Sequence, residues 1–284
     1  MNIEQKVSAA YHLQVCEGDR IIHDTGEFAN LITDYALTLT NPFSSGFICV
    51  GDDDTKPNYQ DISLGNELKA VSASFNQSSA EIIMRGDKRY SRIRCYAEIT
   101  GVAGTIKEIG FKRLNNQTTL ISRTLVRDGK GQQTQIPLRN EQTLKINYYV
   151  YILIPYLMAS GEIIGPYGRY PYEIRPYDGM TQPRGLFAGN FASPLNGTRL
   201  AIVLRTSGNK TAAATTNWTQ IAAEQKTTAV VYFDAINNNR TISRIEASSG
   251  QKNYFAIYFT GENLFNPAES DIGFTLTITW GREQ

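Results

Sequence analysis

The chain is poor in the residues that carry most enzyme and metal chemistry. Its 284 residues include 3 cysteines and 2 histidines. Cys16, Cys49 and Cys95 are odd in number and far apart, which argues against a disulfide framework. No C-x-x-C pair accompanies His12 and His23, so a zinc site is not expected and the cysteines read as buried free thiols. Neither sign of charge dominates: 28 basic residues stand against 27 acidic ones, with no Lys/Arg run. That balance creates no long-range field for nucleic acid or an anionic membrane, so neither is an expected partner. Long hydrophobic runs are also missing. The longest, near Tyr148–Leu157, is too short to span a bilayer and is broken by Pro155. The first residues, MNIEQKVSAAYHLQV, lack the basic and apolar regions of a secretory signal, so synthesis in a cytoplasm is expected.

What is present is β pattern. Hydrophobic content is 41% and charged content 19%, enough apolar mass for a packed core. Val7, Ala9, Tyr11, Leu13 and Val15 alternate with polar or small residues, marking a strand with one buried face. Glu17-Gly18-Asp19 predicts a hairpin, with His12 and His23 on its two arms facing solvent. Asn30 is placed to cap a short helix near 31–40, carried by Leu31, Ile32, Tyr35 and Leu39 and stopped by Asn41-Pro42. Residues 51–68 read as an extended loop. Further strands are predicted at Phe47–Val50, Ile82–Arg85, Tyr90–Ile99, Thr105–Arg113, Thr119–Arg127 and Leu144–Ile154. The β pattern resumes after residue 191 and ends in IGFTLTITWG. These readings predict a mainly β chain with two β-sandwich-like domains, jelly-roll or immunoglobulin-like. The first spans 1–155 with the one short helix, and the second spans 191–284. A Pro/Tyr-rich connector, 156–190, joins them.

Candidate chemistry is sparse. Asp52, Asp53, Asp54 and Asp61 share one loop, but their spacing does not match a calcium-binding EF-hand, and a solvated acidic turn is the expected state. Glu108 lies in the apolar segment IKEIGF and needs a cationic partner, for which Lys107, Arg113 and Arg123 are available. A structural ion pair is the preferred reading over catalysis. No G-x-S-x-G elbow, papain-like cysteine, P-loop or dinucleotide fingerprint occurs. No catalytic residue, metal or cofactor is therefore assigned, and the chain is expected not to be an enzyme.

The connector has the composition of an interface. Tyr167, Tyr170, Tyr172 and Tyr177 alternate with Arg169 and Arg175 among prolines at 166, 171, 176 and 183. Tyr and Arg bury area at low entropic cost and still hydrogen-bond, so these six residues are the expected partner-binding set. The proline spacing predicts an irregular arm rather than ladder-forming strands.

The N-terminal half also has a distinctive wording. D-T-G-E-F-x-N-L-I-T-D is followed by F-I-C-V-G-D and P-N-Y-Q-D-I-S-L-G-N-E-L. I-K-E-I-G-F, L-I-S-R-T-L-V and L-K-I-N-Y-Y-V-Y-I come later. This series, over about Val7 to Ile154, resembles structural proteins of tailed bacteriophages, especially small β-rich components of the tail, neck-collar or fibre. It departs from them at Gly51-Asp52-Asp53-Asp54, where Gly-x-Gly is common, and at Tyr35-Ala36-Leu37, where Gly-Leu is usual. The resemblance implies a virion protein that assembles with copies of itself and with other virion proteins. Two alternatives stay open: a receptor- or carbohydrate-binding module of a tail fibre, whose partner would be host surface glycan, and a capsid decoration protein.

Overall fold

The computed structural model describes residues 1–39, 42–75, 80–114, 116–165, 167–176, 201–206, 209–213, 215–233, 240–249, 252–266 and 272–283. The chain is mainly β, with several antiparallel sheets. The strands of the first half are β1 (Asn2–Glu17), β2 (Arg20–Ile32), β3 (Ser45–Gly51), β4 (Glu67–Ser74), β5 (Glu81–Arg85), β6 (Lys88–Ile99), β7 (Gly104–Ile106), β8 (Glu108–Arg113), β9 (Asn116–Leu125), β10 (Ile136–Leu138) and β11 (Thr143–Leu153). Then come β12 (Ala159–Gly165), β13 (Gly168–Pro176), β14 (Ala201–Thr206), β15 (Asn209–Ala213), β16 (Thr215–Ile221), β17 (Lys226–Phe233), β18 (Arg240–Ile242), β19 (Arg244–Ser249), β20 (Lys252–Phe259), β21 (Leu264–Asn266) and β22 (Ile272–Arg282).

Strand β1 organises the molecule. Its odd-numbered residues from Ile3 to Val15 are all buried, as the period of two requires. One edge of β1 pairs with β11 over Val7–Cys16. The other edge is shared: β22 runs parallel to Asn2–Val7, and β2 runs antiparallel to Ala9–Glu17. At its far end β2 leaves β1, and Leu31 and Ile32 pair with Arg123 and Ser122 of β9. The ladder continues through β8, β3 and β4, and Phe75 just after β4 bridges Cys95 of β6, which pairs with β11. The strands thus return on themselves around one core. Tyr11 stacks on Tyr148 at 4.4 Å, and Phe75 meets both Phe111 and Tyr148 edge-on.

A second core lies where Ile3, Leu276 and Ile278 meet Tyr170, Tyr172, Ile174, Ile245, Phe255 and Ile257. These come from β1, β22 and a six-stranded sheet ordered β12-β13-β20-β19-β14-β15. The dense apolar signal of β11 has a related cause. Ile146, Tyr148, Val150 and Ile152 face the first core, while Tyr149, Tyr151 and Leu153 pack outside it with Ala10, Tyr90 and Ile83.

Three local expectations are corrected. The helix α1 is only Asp34–Leu37, capped by Thr33 rather than Asn30, because the β9 ladder keeps Leu31 and Ile32 extended. The segment Thr105–Arg113 is two strands, β7 and β8, split at Lys107, whose N–H donates to Gly51 O at 2.9 Å. The part of the expected arm that is described is a hairpin, β12–β13, and β13 pairs on its other side with β20. Its prolines fit because of where they sit. Pro171 O accepts from Thr260 N at 3.0 Å, just past the end of β20, while Ile174 O accepts from Met158 N at 2.8 Å, on the β12 side. Pro171 therefore faces β20 where that ladder stops, and Pro176 faces β12 beyond its first residue, so neither removes a needed N–H. The remainder of the expected arm, and the boundary near 190, lie outside the described residues.

Candidate functional site

The residues of the sequence wording converge in space. In D-T-G-E-F, Asp24 accepts from Gln14 Nε2 at 2.7 Å and from Gly26 N at 2.8 Å, and its other contact is His12 Nε2 at 2.7 Å. Thr25 Oγ1 accepts from Leu13 N at 3.0 Å and donates to Leu13 O at 3.2 Å. Leu13 falls where the β1–β2 register shifts, so the threonine side chain satisfies the backbone of a bulge. Gly26 has φ +65°, and a Cβ there would meet Gly129 Cα at 3.3 Å. Glu27 accepts from Tyr151 Oη at 2.8 Å, and Phe28 enters the core. Further on, Thr33 Oγ1 donates to Leu120 O at 2.7 Å as well as capping α1, and Asp34 N donates to Tyr59 O at 2.8 Å.

The centre of convergence is Arg123, whose side chain is 4% exposed. Its Nε donates to Glu108 Oε2 at 2.8 Å and its Nη1 to Asp61 Oδ2 at 2.7 Å. Its Nη2 donates to Thr55 O at 3.2 Å and to Asp53 Oδ2 at 3.3 Å. Glu108 is 0% exposed, and its remaining capacity is filled by Gly65 N at 3.2 Å and Asn66 N at 3.1 Å. The ion pair expected for Glu108 is thus formed, and Arg123 is the partner. Burial acts against the guanidinium charge, but the bonds to Asp61 and Glu108 outweigh it and hold its pKa above the ordinary value. The Thr55 hydroxyl hydrogen bond, opposed by burial and helped by the Thr55 N–H and Arg123, lowers the pKa of Asp53.

Close backbone approach makes this cluster possible. A Cβ on Gly65 would lie 2.0 Å from Asp53 Oδ2, and one on Gly51 would lie 2.5 Å from Glu108 Oε1. Asp53 and Asp61, expected as members of a solvated acidic turn, are instead bound to Arg123 and staple the loop between β3 and β4. Among the described residues no group of His, Cys, Asp and Glu is arranged to hold a metal ion. All three cysteines are free and buried, and burial pushes the Cys95 thiol up to about 12.

Beside this cluster, a groove of about 590 Å³ opens where β2 departs from β1. Arg282 and Glu283 of its lining are engaged within the chain. Arg282 donates to Ile32 O and Asp34 and lies 4.0 Å over the Tyr59 ring. Glu283 accepts from Ser8, Lys88 and Tyr90. Burial opposes ionisation of Glu283, yet these donors together hold its carboxyl below the ordinary 4.5.

The expected partner-binding residues divide. Tyr167 is exposed at the β12–β13 turn, and Arg169, also exposed, donates to Glu162 at 2.8 Å. Arg175 is exposed, donates to Glu173 and lies over Tyr258. Tyr170 and Tyr172 are buried in the second core by the chain itself, which corrects the expectation that they serve mainly a neighbouring subunit. Their rings cover glycines of β12 and the turn: a Cβ on Gly161 would lie 2.6 Å from Tyr172 Oη, and one on Gly165 would lie 3.4 Å from Tyr170 Cε2. Tyr177 lies outside the described residues. The period-two series Tyr170, Tyr172, Ile174 was the available signal for burial. Sequence reading also missed Asp53 and Asp61 as partners of Arg123, which nothing local marks across separations of 70 and 62 residues.

No family model matches the chain, and neither a curated protein nor a solved structure does. Among the described residues, no helix is long and apolar enough to cross a membrane.

Proposed function

We propose that this chain is a non-enzymatic structural component of a tailed-bacteriophage particle, working in the tail, neck-collar or fibre-attachment region by assembly with its own copies and with other virion proteins. The observation that carries the reading is the use made of the resembling residues. Thr25, Gly26, Thr33, Asp61, Glu108 and Arg123 are all engaged in bulge, cap and loop anchoring. Glu108, a fully buried carboxylate, is sealed from any substrate by Arg123 and two backbone N–H groups. A wording spent on architecture fits a protein whose work is presenting surfaces. We read the two cores as two β-sandwich-like domains, the second built on the β12–β13 hairpin.

The test is composition. Tailed particles purified from a bacterial culture producing the chain should contain it in multiple copies, measured by quantitative mass spectrometry and located by antibody labelling in electron micrographs. Particles that assemble, infect and lack the chain would overturn the proposal. A measured hydrolysis of host-surface polysaccharide by the pure protein, lost on changing one carboxylate, would overturn its non-enzymatic part.

A further inference from the structure

Among large apolar side chains exposed in several parts of the chain, such as Ile62 and Met84, four lie close together. Ile164 is 70% exposed, Tyr156 67%, Tyr167 61% and Leu157 47%, all within one stretch around β12. In addition, β12 ends the six-stranded sheet and, among the described residues, pairs only with β13. The hydrogen bonds at Pro171 and Ile174 show that even-numbered residues of β13 face β12. With Gly161 opposite Tyr172 and Ile163 opposite Tyr170, odd-numbered residues of β12 face β13. Ser160, Glu162 and Ile164 therefore turn their N–H and C=O groups to the open edge. Exposed edges are normally blunted by lysine, proline or an unpaired charge. Between Ala159 and Gly165 there is no lysine or proline, and the lone charge, Glu162, is held by Arg169.

We infer that the open edge of β12 pairs antiparallel with β12 of a second copy of this chain, about a two-fold axis at Gly161. This deepens the assembly reading above and rests on it. A two-fold normal to a sheet keeps inner and outer faces continuous only if one residue meets its own copy. Centring on Glu162 would set two carboxylates directly opposite each other, which is unfavourable. Centring on Gly161 sets Ser160 against Glu162, Ala159 against Ile163 and Met158 against Ile164. The small half of the strand then receives the bulky half of its copy. The hydrogen-bonding residues Ser160 and Glu162 also face each other, as an antiparallel ladder requires. Antiparallel pairing brings Tyr156 and Leu157 of one copy alongside the turn that carries Tyr167 of the other. All four exposed side chains are gathered into one contact. A seven-residue edge is about 23 Å long. Its pairing supplies modest affinity that a symmetric particle multiplies.

Crosslinking of the full chain tests this. Ser160→Cys protein mixed with Glu162→Cys protein under mild oxidation should give a disulfide-linked species of twice the chain mass. Either protein alone should give much less, because the like positions are out of register. The native cysteines are buried and contribute little background. Ile164→Lys in both proteins should remove most of the crosslinked product, with an unchanged melting temperature because the side chain is exposed. No crosslink in the mixture, equal crosslinking by the single proteins, or a crosslink indifferent to Ile164→Lys would overturn the inference. These readouts need no particle. A chain found in virions without the crosslink sinks only the edge pairing, and a crosslinking chain missing from virions sinks only the virion reading.

Discussion

Removing Arg123 should unfasten the loop between β3 and β4 at a cost set almost entirely by Glu108. In Arg123→Ala, Glu108 keeps only the N–H groups of Gly65 and Asn66, at 3.2 and 3.1 Å, while remaining fully buried. Breaking such a pair from one side costs about 3–5 kcal/mol, because an uncompensated charge is left in the interior. Asp53 and Asp61 are partly exposed and regain water, so they add little to the cost. Arg123→Lys should fall between wild type and Ala, since an ammonium cannot serve Nε, Nη1 and Nη2 positions together. Adding Glu108→Gln to Arg123→Ala should recover part of the loss, because the stranded charge is gone. Guanidinium titrations would measure this as a fall in midpoint at constant slope, and limited proteolysis should cut Arg123→Ala within residues 52–66. A loss below about 1 kcal/mol, or a double variant weaker than Arg123→Ala, would refute the assignment of the cost to a buried Glu108 charge.

Other perturbations separate the rest of the architecture. Tyr170→Ala should cost about 3–5 kcal/mol by thermal or chemical unfolding, whereas Tyr167→Ala should stay within about 0.5 kcal/mol; equal effects would contradict their different burial. Gly161→Ala should cost about 1–3 kcal/mol, because the new methyl meets the Tyr172 ring, and Gly161→Ala with Tyr172→Phe should lose less. Trp280→Phe removes the indole N–H that donates to Leu37 O at 2.7 Å and should cost about 1–3 kcal/mol in the same titrations. The Glu283 carboxyl has a folded pKa below its ordinary 4.5, so its contribution is present above 4.5 and is lost as pH falls through the folded value. Comparing wild type with Glu283→Gln from neutral pH downward should show a stability gap that closes below that point; a gap independent of pH would be inconsistent with the bonds from Ser8, Lys88 and Tyr90.

Legibility in the sequence followed the range of the interactions. Strands with local alternation, such as β1, β6 and β22, were readable because burial of one face imposes a period of two. The Glu108–Arg123 pair was readable because a carboxylate inside IKEIGF has no apolar solution and few cations stand nearby. The short helix was overextended because Leu31 and Ile32 satisfy a helical stripe equally well, and only their pairing with β9 decides against it. The parallel union of β1 with β22 had no local mark, since Ile3 and Ile278 lie at opposite ends of the sequence. The hairpin β12–β13 was obscured by its prolines. Proline forbids a ladder bond only on the side toward which its nitrogen points, and that direction follows from where each neighbouring strand ends.

The groupings in the wording have a physical origin. A strand must satisfy its backbone at a bulge and at a change of partner, and β2 meets both. Near its start, the bulge at Leu13 would leave main-chain groups unpaired were Thr25 absent. Near its end, the carbonyls of Leu120 and Ile121 accept from Thr33, and the chain turns at once into α1. The long loop after β3 has no ladder of its own, so it is held by a guanidinium fork at three carboxylates and one carbonyl. A fork of this kind needs a donor with fixed, divergent N–H vectors, which is why the central residue is arginine. It also needs close backbone approach at Gly51 and Gly65, where any side chain would displace Glu108 or Asp53. The threonines, glycines, acids and single arginine of the motif series thus answer two demands, satisfying the backbone of β2 at its bulge and at its transfer to β9, and anchoring the loop between β3 and β4. Any chain that makes the same transfer around the same loop faces the same demands, whatever surface it presents.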